Sequence, residues 1–339
     1  MRQIENKDAG DIGLSVVVPC YNEADGIAEL LRRTTAAASA CFGDDYEIIL
    51  VNDGSTDDSW TQISAHADND HHIIGINLAR NHGHQLALSA GLDNCRGAFI
   101  FILDADLQDP PELLGAMMKE INAGHDVVFG QRRARAGETA FKRSTASMFY
   151  RLLDKLVDVK IPRDAGDFRL MTRRVLNQLN AMPERYRFVR GMVSWIGYRQ
   201  IALLYDRDAR FAGETKYPLR KMVAFAIDAI TSFSVVPLRL ASWVGAITSV
   251  MALVTLGWVF IAWMSGATIS GWTSLTAIVL VIGSIQLIML GIMGEYLGRM
   301  YVESKRRPLF IIDQIYAGLK QAENPVHQMQ AKIERVVNG

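Results

Sequence analysis

The sequence predicts an α/β protein built on a mainly parallel sheet and followed by two membrane-spanning helices. Three observations predict it. Short apolar runs alternate with segments of helical composition through the N-terminal part of the chain. One of these runs, Phe99-Ile100-Phe101-Ile102-Leu103, is apolar at every position, the pattern of a strand buried on both faces. Further on, residues 243–264 carry no charge, and residues 272–293 have only Gln286 as a strongly polar interruption. Each stretch is 22 residues, about 33 Å as a helix, against a hydrocarbon core of about 30 Å.

Residues 14–18 form the first predicted strand and run into Pro19-Cys20-Tyr21-Asn22-Glu23. Residues 24–38 follow as a helix with leucines and isoleucine at helical spacing. The second strand, 46–51, ends in Asn52-Asp53-Gly54. Asp-Gly can turn a hairpin. Here Ser55-Thr56-Asp57-Asp58 follows and reads as a capping box opening a helix through Trp60 and Ile63, so strand-to-helix fits better. Residues 73–78 make a third strand, 85–94 a helix, 99–103 the central strand and 126–129 another. This alternation implies right-handed crossovers and parallel pairing.

The central strand ends in Asp104-Ala105-Asp106-Leu107-Gln108. If the chain is still extended there, Asp104 and Asp106 share a face. Two like charges about 5 Å apart repel by roughly 3 kcal/mol at an effective dielectric near 20. A divalent cation relieves that repulsion, and carboxylates with the Gln108 amide suit Mg or Mn. A polar loop capping the strand is the alternative. Asp109-Pro110-Pro111-Glu112 reads as an N-cap, first-turn prolines and a capping-box acid, which gives Asp109 a structural role.

Ligands of open α/β sheets bind beyond the carboxyl ends of the strands. Three strands end in polar sets: Pro19, Tyr21 and Glu23; Asp53; and Asp104, Asp106 and Gln108. No dinucleotide fingerprint or P-loop follows any of them. An aromatic ring, carboxylates and a metal on one edge suit a base, a ribose and a diphosphate, with Tyr21 as the base contact. Ordinary packing is the alternative for Tyr21. His82 and His84 have no further ligand nearby in sequence and read as polar residues at a helix start, not as a metal pair.

Charge is balanced, 36 basic against 36 acidic residues, and gives no reason to expect a nucleic-acid partner. Cys20, Cys41 and Cys95 are odd in number and widely spaced, which fits reduced thiols in a cytosolic domain. Residues 1–11 are polar and lack the apolar core of a signal peptide. Arg220, Lys221 and Arg239 precede the first span, and Arg299, Lys305, Arg306 and Arg307 follow the second. By the positive-inside rule both long ends are cytoplasmic and the uncharged connector lies outside. Glu295 falls at the inner interface, and Gly294-x-x-x-Gly298 would permit close helix approach. Residues 220–236 read as an amphipathic helix for the headgroup layer, before Pro237. The expected division is a domain at 1–217, an interfacial helix at 218–237, two transmembrane helices within 238–300 and a cytosolic tail at 301–339.

Basic residues cluster between the sheet and the spans, around a polar stretch at 162–169 that reads as a loop, among them Arg132, Arg143, Arg169, Arg210 and Lys216. They suit either a solvated face or a phosphate clamp. At this point the segments SVVVPCYNE, VNDGSTDD, DADLQDPPE, GDFRLM and GETKYPL, followed by two spans, carry a resemblance. They resemble the polyprenyl-phosphate glycosyltransferases of glycosyltransferase family 2. The bactoprenol glucosyltransferases are nearest, and dolichol-phosphate mannose synthase is more distantly similar.

The resemblance implies a GT-A fold, a nucleoside-diphosphate sugar as donor (UDP by nearest likeness) and polyprenyl phosphate as acceptor. It further implies that Pro19, Tyr21, Glu23, Asp53 and Asp104 hold the nucleotide, and that Asp104, Asp106 and Gln108 hold the metal. Asp167 falls at the family's proposed base, and Arg132, Arg143, Ser147, Arg169, Arg210 and Lys216 fall in regions that grip phosphates. Relatives of this kind often form tetramers in the bacterial inner membrane. A processive polysaccharide synthase would be expected to show a Gln-x-x-Arg-Trp motif and more spans. A membrane-anchored nucleotide-binding scaffold would lack the paired aspartates, and a transporter would carry charge deep inside a span.

Overall fold

A computed structural model describes residues 12–133, 165–206, 236–265 and 271–318. The strand-length apolar runs become the middle of an eight-stranded sheet. β1 (Ile12–Cys20) lies between β2 (Tyr46–Asn52) and β4 (Gly97–Ile102), parallel to both. β3 (Ile73–Leu78) adds in parallel beyond β2. Every residue of β2 is buried, the apolar run Ile48–Val51 together with Tyr46, Glu47 and Asn52 around it.

The helices that join these strands are α1 (Ile27–Phe42), α2 (Ser59–Asn69) and α3 (His84–Asn94). α1 turns Ile27, Leu30, Leu31, Thr34 and Ala38 inward at helical spacing. Glu47 is buried beside these strands, where it accepts from Ser15 Oγ at 2.6 Å and from two guanidinium nitrogens of Arg96 at 2.9 and 2.7 Å. That pair, with Glu47 buried and the Arg96 side chain 38% exposed, fastens the entry to β4 onto β1 and β2.

The other half of the sheet is mixed. α4 (Leu114–Asn122) leads to β5 (Val127–Arg132). β6 (Ala165–Thr172) lies antiparallel between β4 and β5, and β7 (Gln200–Tyr205) pairs in parallel with β5. α5 (Arg173–Ala181) and α6 (Val189–Ile196) connect β6 to β7. The full order is β7-β5-β6-β4-β1-β2-β3-β8. β8 (Ile312–Tyr316), beyond the second long helix, pairs antiparallel with β3 and covers that edge.

Three local expectations are corrected. The box at Ser55-Thr56-Asp57-Asp58 does not cap α2, which starts at Ser59 after Asp58 with no side-chain cap bond. Asp57 instead accepts from the backbone of Ser59 and of Ala24, so tertiary stitching takes the place of a cap. Nor does Asp109 cap the turn Pro111–Leu113. Its carboxylate is buried against the Tyr205 hydroxyl, and Glu112 reaches Arg33 of α1 through two bonds of 2.8 and 2.7 Å. Residues 165–169, placed in a loop by their polarity, are the first part of β6.

By contact the chain divides into Met1–Ala146 with Val159–Lys216 and Pro308–Gly339, and a second unit of Ser147–Asp158 with Tyr217–Arg307. The second unit holds α7 (Val236–Met264) and α8 (Trp272–Ser304), about 44 and 50 Å long. Both are long and apolar enough to cross a membrane and bury almost none of that apolar surface within the chain. Gly245 of α7 lies 3.7 Å from Met289 of α8, measured from where its Cβ would be. Among the described residues, no atom outside the helix's own backbone lies within 4 Å of where a Cβ would be at Gly294 or Gly298, so these residues show no close approach there. Glu295 pairs with Arg299 one turn on, at 3.1 Å, which offsets its charge at that depth. The interfacial helix expected at 220–236 lies outside the described residues except for Val236, which opens α7.

Candidate active site

Parallel pairing of β1 with β2 and β4 brings the three polar strand ends to one edge. The loop after β1 is sewn to the loop after β2. Asn22, at φ 54°, accepts from the Thr56 backbone at 2.8 Å, and its own N–H donates to Ser55 Oγ at 3.0 Å. Ser59 Oγ accepts from the Glu23 N–H at 3.0 Å. Tyr21 stays 47% exposed, its ring open to a ligand. Asp53 is buried, and its two oxygens accept from the backbone N–H groups of His82 and Gly83 at 2.7 and 2.9 Å. That contact draws residues 80–83 over the end of β2. Gly54 is needed there: at φ +64°, a Cβ would lie 2.6 Å from the Asn81 nitrogen.

β4 ends at Ile102, and the backbone turns at Ala105 and Asp106, with Leu107 at φ 55°. Strand alternation therefore does not set the directions of Asp104 and Asp106. The turn does, and it gathers Asp104 close to the charges of Asp106, Asp109 and Asp167. Burial, with those three carboxylates, raises the Asp104 pKa to about 6, partly offset by His84. Asp104 Oδ1 has no hydrogen-bond partner among the described residues. A buried oxygen lacking a donor, amid crowded negative charge, fits a hard divalent cation. Asp106 Oδ1 accepts from the Gln108 backbone at 3.2 Å.

Asp167, on β6, faces this turn and is held differently. Its Oδ2 lies 2.6 Å from the Gln85 side-chain nitrogen and 3.3 Å from His84 Nε2. Its Oδ1 lies 3.7 Å from Arg169. Burial works against its charge, but the His84 hydrogen bond and the nearby Arg190 and Arg169 outweigh it and hold the carboxyl well below the usual range. His84 also lies 3.6 Å from Asp104 Oδ1. Burial alone would lower its pKa; the Asp167 bond and the charges of Asp104, Asp167 and Asp53 raise it to about 9. A carboxylate this firmly ionised is a poor proton acceptor and a good fixed anion.

The predicted phosphate residues divide. Arg132 closes β5, with Nε 3.3 Å from the Tyr205 hydroxyl and a terminal nitrogen 3.7 Å from Asp109. Arg169 is buried beneath Asp167 and donates to the carbonyls of Asp167 and Gly166, both at 3.1 Å. Burial lowers its pKa to about 10. Arg143, Ser147, Arg210 and Lys216 lie outside the described residues.

The chain belongs to glycosyltransferase family 2, and it is a glycosyltransferase. Residues 15–179 match the model for glycosyl transferase family 2, and residues 236–300 match the GtrB C-terminal hairpin. A Bacillus subtilis protein named as the uncharacterized glycosyltransferase YkcC is 45% identical over 90% of this chain and 94% of its own length. The Synechocystis uncharacterized glycosyltransferase sll0501 is 42% identical over 90% of this chain and 96% of its own. The prophage bactoprenol glucosyl transferase homolog of Escherichia coli K12 is 37% identical, covering 89% and 99%.

Sequence reasoning gave His84 only the part of a polar residue at a helix start, and it passed over Gln85 and Arg190. His84 and Gln85 stand 83 and 82 residues from Asp167, a separation no local motif bridges. Gln85 also accepts the Val189 N–H at 2.9 Å, so it fastens α3 to α6 as well as to β6.

Proposed function

We propose that the protein moves a sugar from a nucleoside diphosphate, UDP in the first instance, to the phosphate of a polyprenyl lipid at the inner face of a bacterial cytoplasmic membrane. The observation that carries this reading is the crowded, under-neutralised Asp104 turn at the strand ends of a chain that also bears two exposed apolar helices. Relatives named bactoprenol glucosyl transferase support the acceptor. Asp104, Asp106 and Gln108 would hold Mg or Mn, which supplies charge neutralisation for the diphosphate leaving group.

The protein's own groups account for the rest. A phosphate monoester has a second pKa near 6, so the acceptor is already a nucleophile at neutral pH. Its oxygen forms the bond to the anomeric carbon as the bond to the diphosphate oxygen breaks, which turns an α-linked donor into a β-linked product. No base is needed for that step. Asp167, kept ionised by His84, Gln85 and Arg169, orients a sugar hydroxyl or a cation at the reacting centre. Pro19, Tyr21, Glu23 and Asp53 frame the nucleoside. Arg132, together with Arg143, Ser147, Arg210 and Lys216, receives the phosphates. Both termini lie in the cytoplasm, and the protein assembles as a tetramer.

The test is to incubate purified protein with undecaprenyl phosphate, Mg or Mn and a panel of nucleotide sugars. Mass spectrometry of the extracted lipid should find one hexose added from a UDP donor. A chain that hydrolyses or ignores every donor while leaving the lipid unchanged would refute the proposal.

A further inference from the structure

At the opposite ends of β2 and β3, about 20 Å from the acidic edge, a second group of ligand-type side chains comes together. Asp44 lies in the turn before β2, and His71 and His72 lie in the turn before β3. One ligand atom from each lies within 4.8 Å of the other two.

His72 is held in a single pose. Its ring is stacked flat on Tyr46, with centroids 4.1 Å apart and planes 4° apart. Its Nδ1 lies 2.7 Å from Asp70 Oδ1, an oxygen that also accepts the His72 backbone N–H at 3.0 Å. In the tautomer whose Nδ1–H donates to that carboxylate, the lone pair is at Nε2. That lone pair faces Asp44 Oδ1 at 3.0 Å and the Asp44 carbonyl oxygen at 3.3 Å. Acceptor thus meets acceptor, and something positive belongs between them.

A proton on Nε2 would satisfy the pair. Three features favour a metal ion. The His71 ring stands 3.9 Å from the His72 ring and supplies a third donor that a shared proton does not need. A carboxylate on the far nitrogen is the usual support of a metal-bound imidazole. A tetrahedral ion with ligands at about 2.0–2.1 Å sets neighbouring donor atoms roughly 3.3 Å apart; His72 Nε2 and Asp44 Oδ1 stand 3.0 Å apart, and the His71 donor lies within 4.8 Å of both. Two imidazoles and one carboxylate match borderline-soft ions, not Mg or Mn. Asp44 and His71 are exposed, which leaves an entry path from solvent.

We propose that Asp44, His71 and His72 form a second metal site, for a divalent transition ion of the zinc class, with Asp70 orienting His72. Bound there, the ion clips the turn before β2 to the turn before β3.

The test uses the full chain without a polyhistidine tag, in detergent and in excess Mg, titrated with Zn(II) against a chromophoric chelator. One equivalent of zinc is expected, and Co(II) should give the intense visible bands of a tetrahedral site. Asp44→Asn and His71→Gln should each weaken zinc binding at least tenfold, and Asp106→Asn should leave it unchanged. Both substituted side chains are exposed, so thermal unfolding in EDTA should match the parent chain and separate lost binding from lost fold. Absence of zinc binding, unchanged binding in the Asp44→Asn/His71→Gln double variant, or loss of the site in Asp106→Asn would each overturn the proposal.

Discussion

The turn after β4 and the start of β6 face one another across the same edge and are held in opposite electrostatic states. The turn gathers more negative charge than its surroundings neutralise, so Asp104 is pushed up to about 6. Across from it, Asp167 sits among His84, Gln85 and Arg169 and is pushed down. The difference separates two tasks. One side carries crowded negative charge that an outside cation would neutralise, whereas the other is already compensated and serves as a fixed anion.

The largest expected effect falls on the under-neutralised side. Asp106→Asn should lower metal-dependent turnover by at least about a hundredfold while thermal unfolding stays near that of the parent. Near-full activity would remove the turn from the chemistry. On the other side, Asp167→Asn should cost only about tenfold, since it removes an orienting anion and not a proton acceptor. A loss in the range of about 10²–10⁴, together with a shifted pH–rate profile, would restore Asp167 as a base. Arg132→Ala should raise the KM for the lipid phosphate several-fold and that for the nucleotide sugar less; the reverse pattern would move Arg132 to the donor side.

The smallest effect concerns His84, which joins the two sides. Its pKa in the folded chain, about 9, stands above the ordinary value of 6.5. The stability it contributes is therefore fully present below pH 6.5 and is lost as the pH rises through about 9. In EDTA, unfolding midpoints should fall across that window in the parent chain and stay flatter in His84→Gln. Parallel curves would show that the imidazole gains nothing from Asp167 and Asp104.

The two sides also differed in how far the sequence exposed them. β1 to β4 each carry an apolar run of strand length, the mark of a strand buried on both faces, with Ser15, Glu47 and Asn77 as polar interruptions. Parallel pairing then follows from the alternating helices, and it collects Pro19, Asp53 and Asp104 at one edge. β6 was hidden because Asp167 and Arg169 made residues 165–169 look like a loop. Both are buried in the strand, with partners on α3 and on the local backbone. β8 was hidden for a different reason. It is a short edge strand whose apolar run is broken by Asp313 and Gln314, and Asp313 and Tyr316 fasten to Asn77 and Asp68 through polar contacts. Capping motifs misled where their side chains had tertiary partners, as with Asp57 on Ala24 and Glu112 on Arg33. Local pattern predicts local bonds, and at this edge most bonds are long-range.

The most direct test of the division between the two sides is UDP binding by calorimetry with and without Mn(II). If the Asp104 turn accepts a cation that serves the diphosphate, Mn(II) should tighten UDP binding at least tenfold in the parent chain and in Asp167→Asn, and not in Asp106→Asn. Equal UDP affinity with and without Mn(II) in the parent chain would contradict the account.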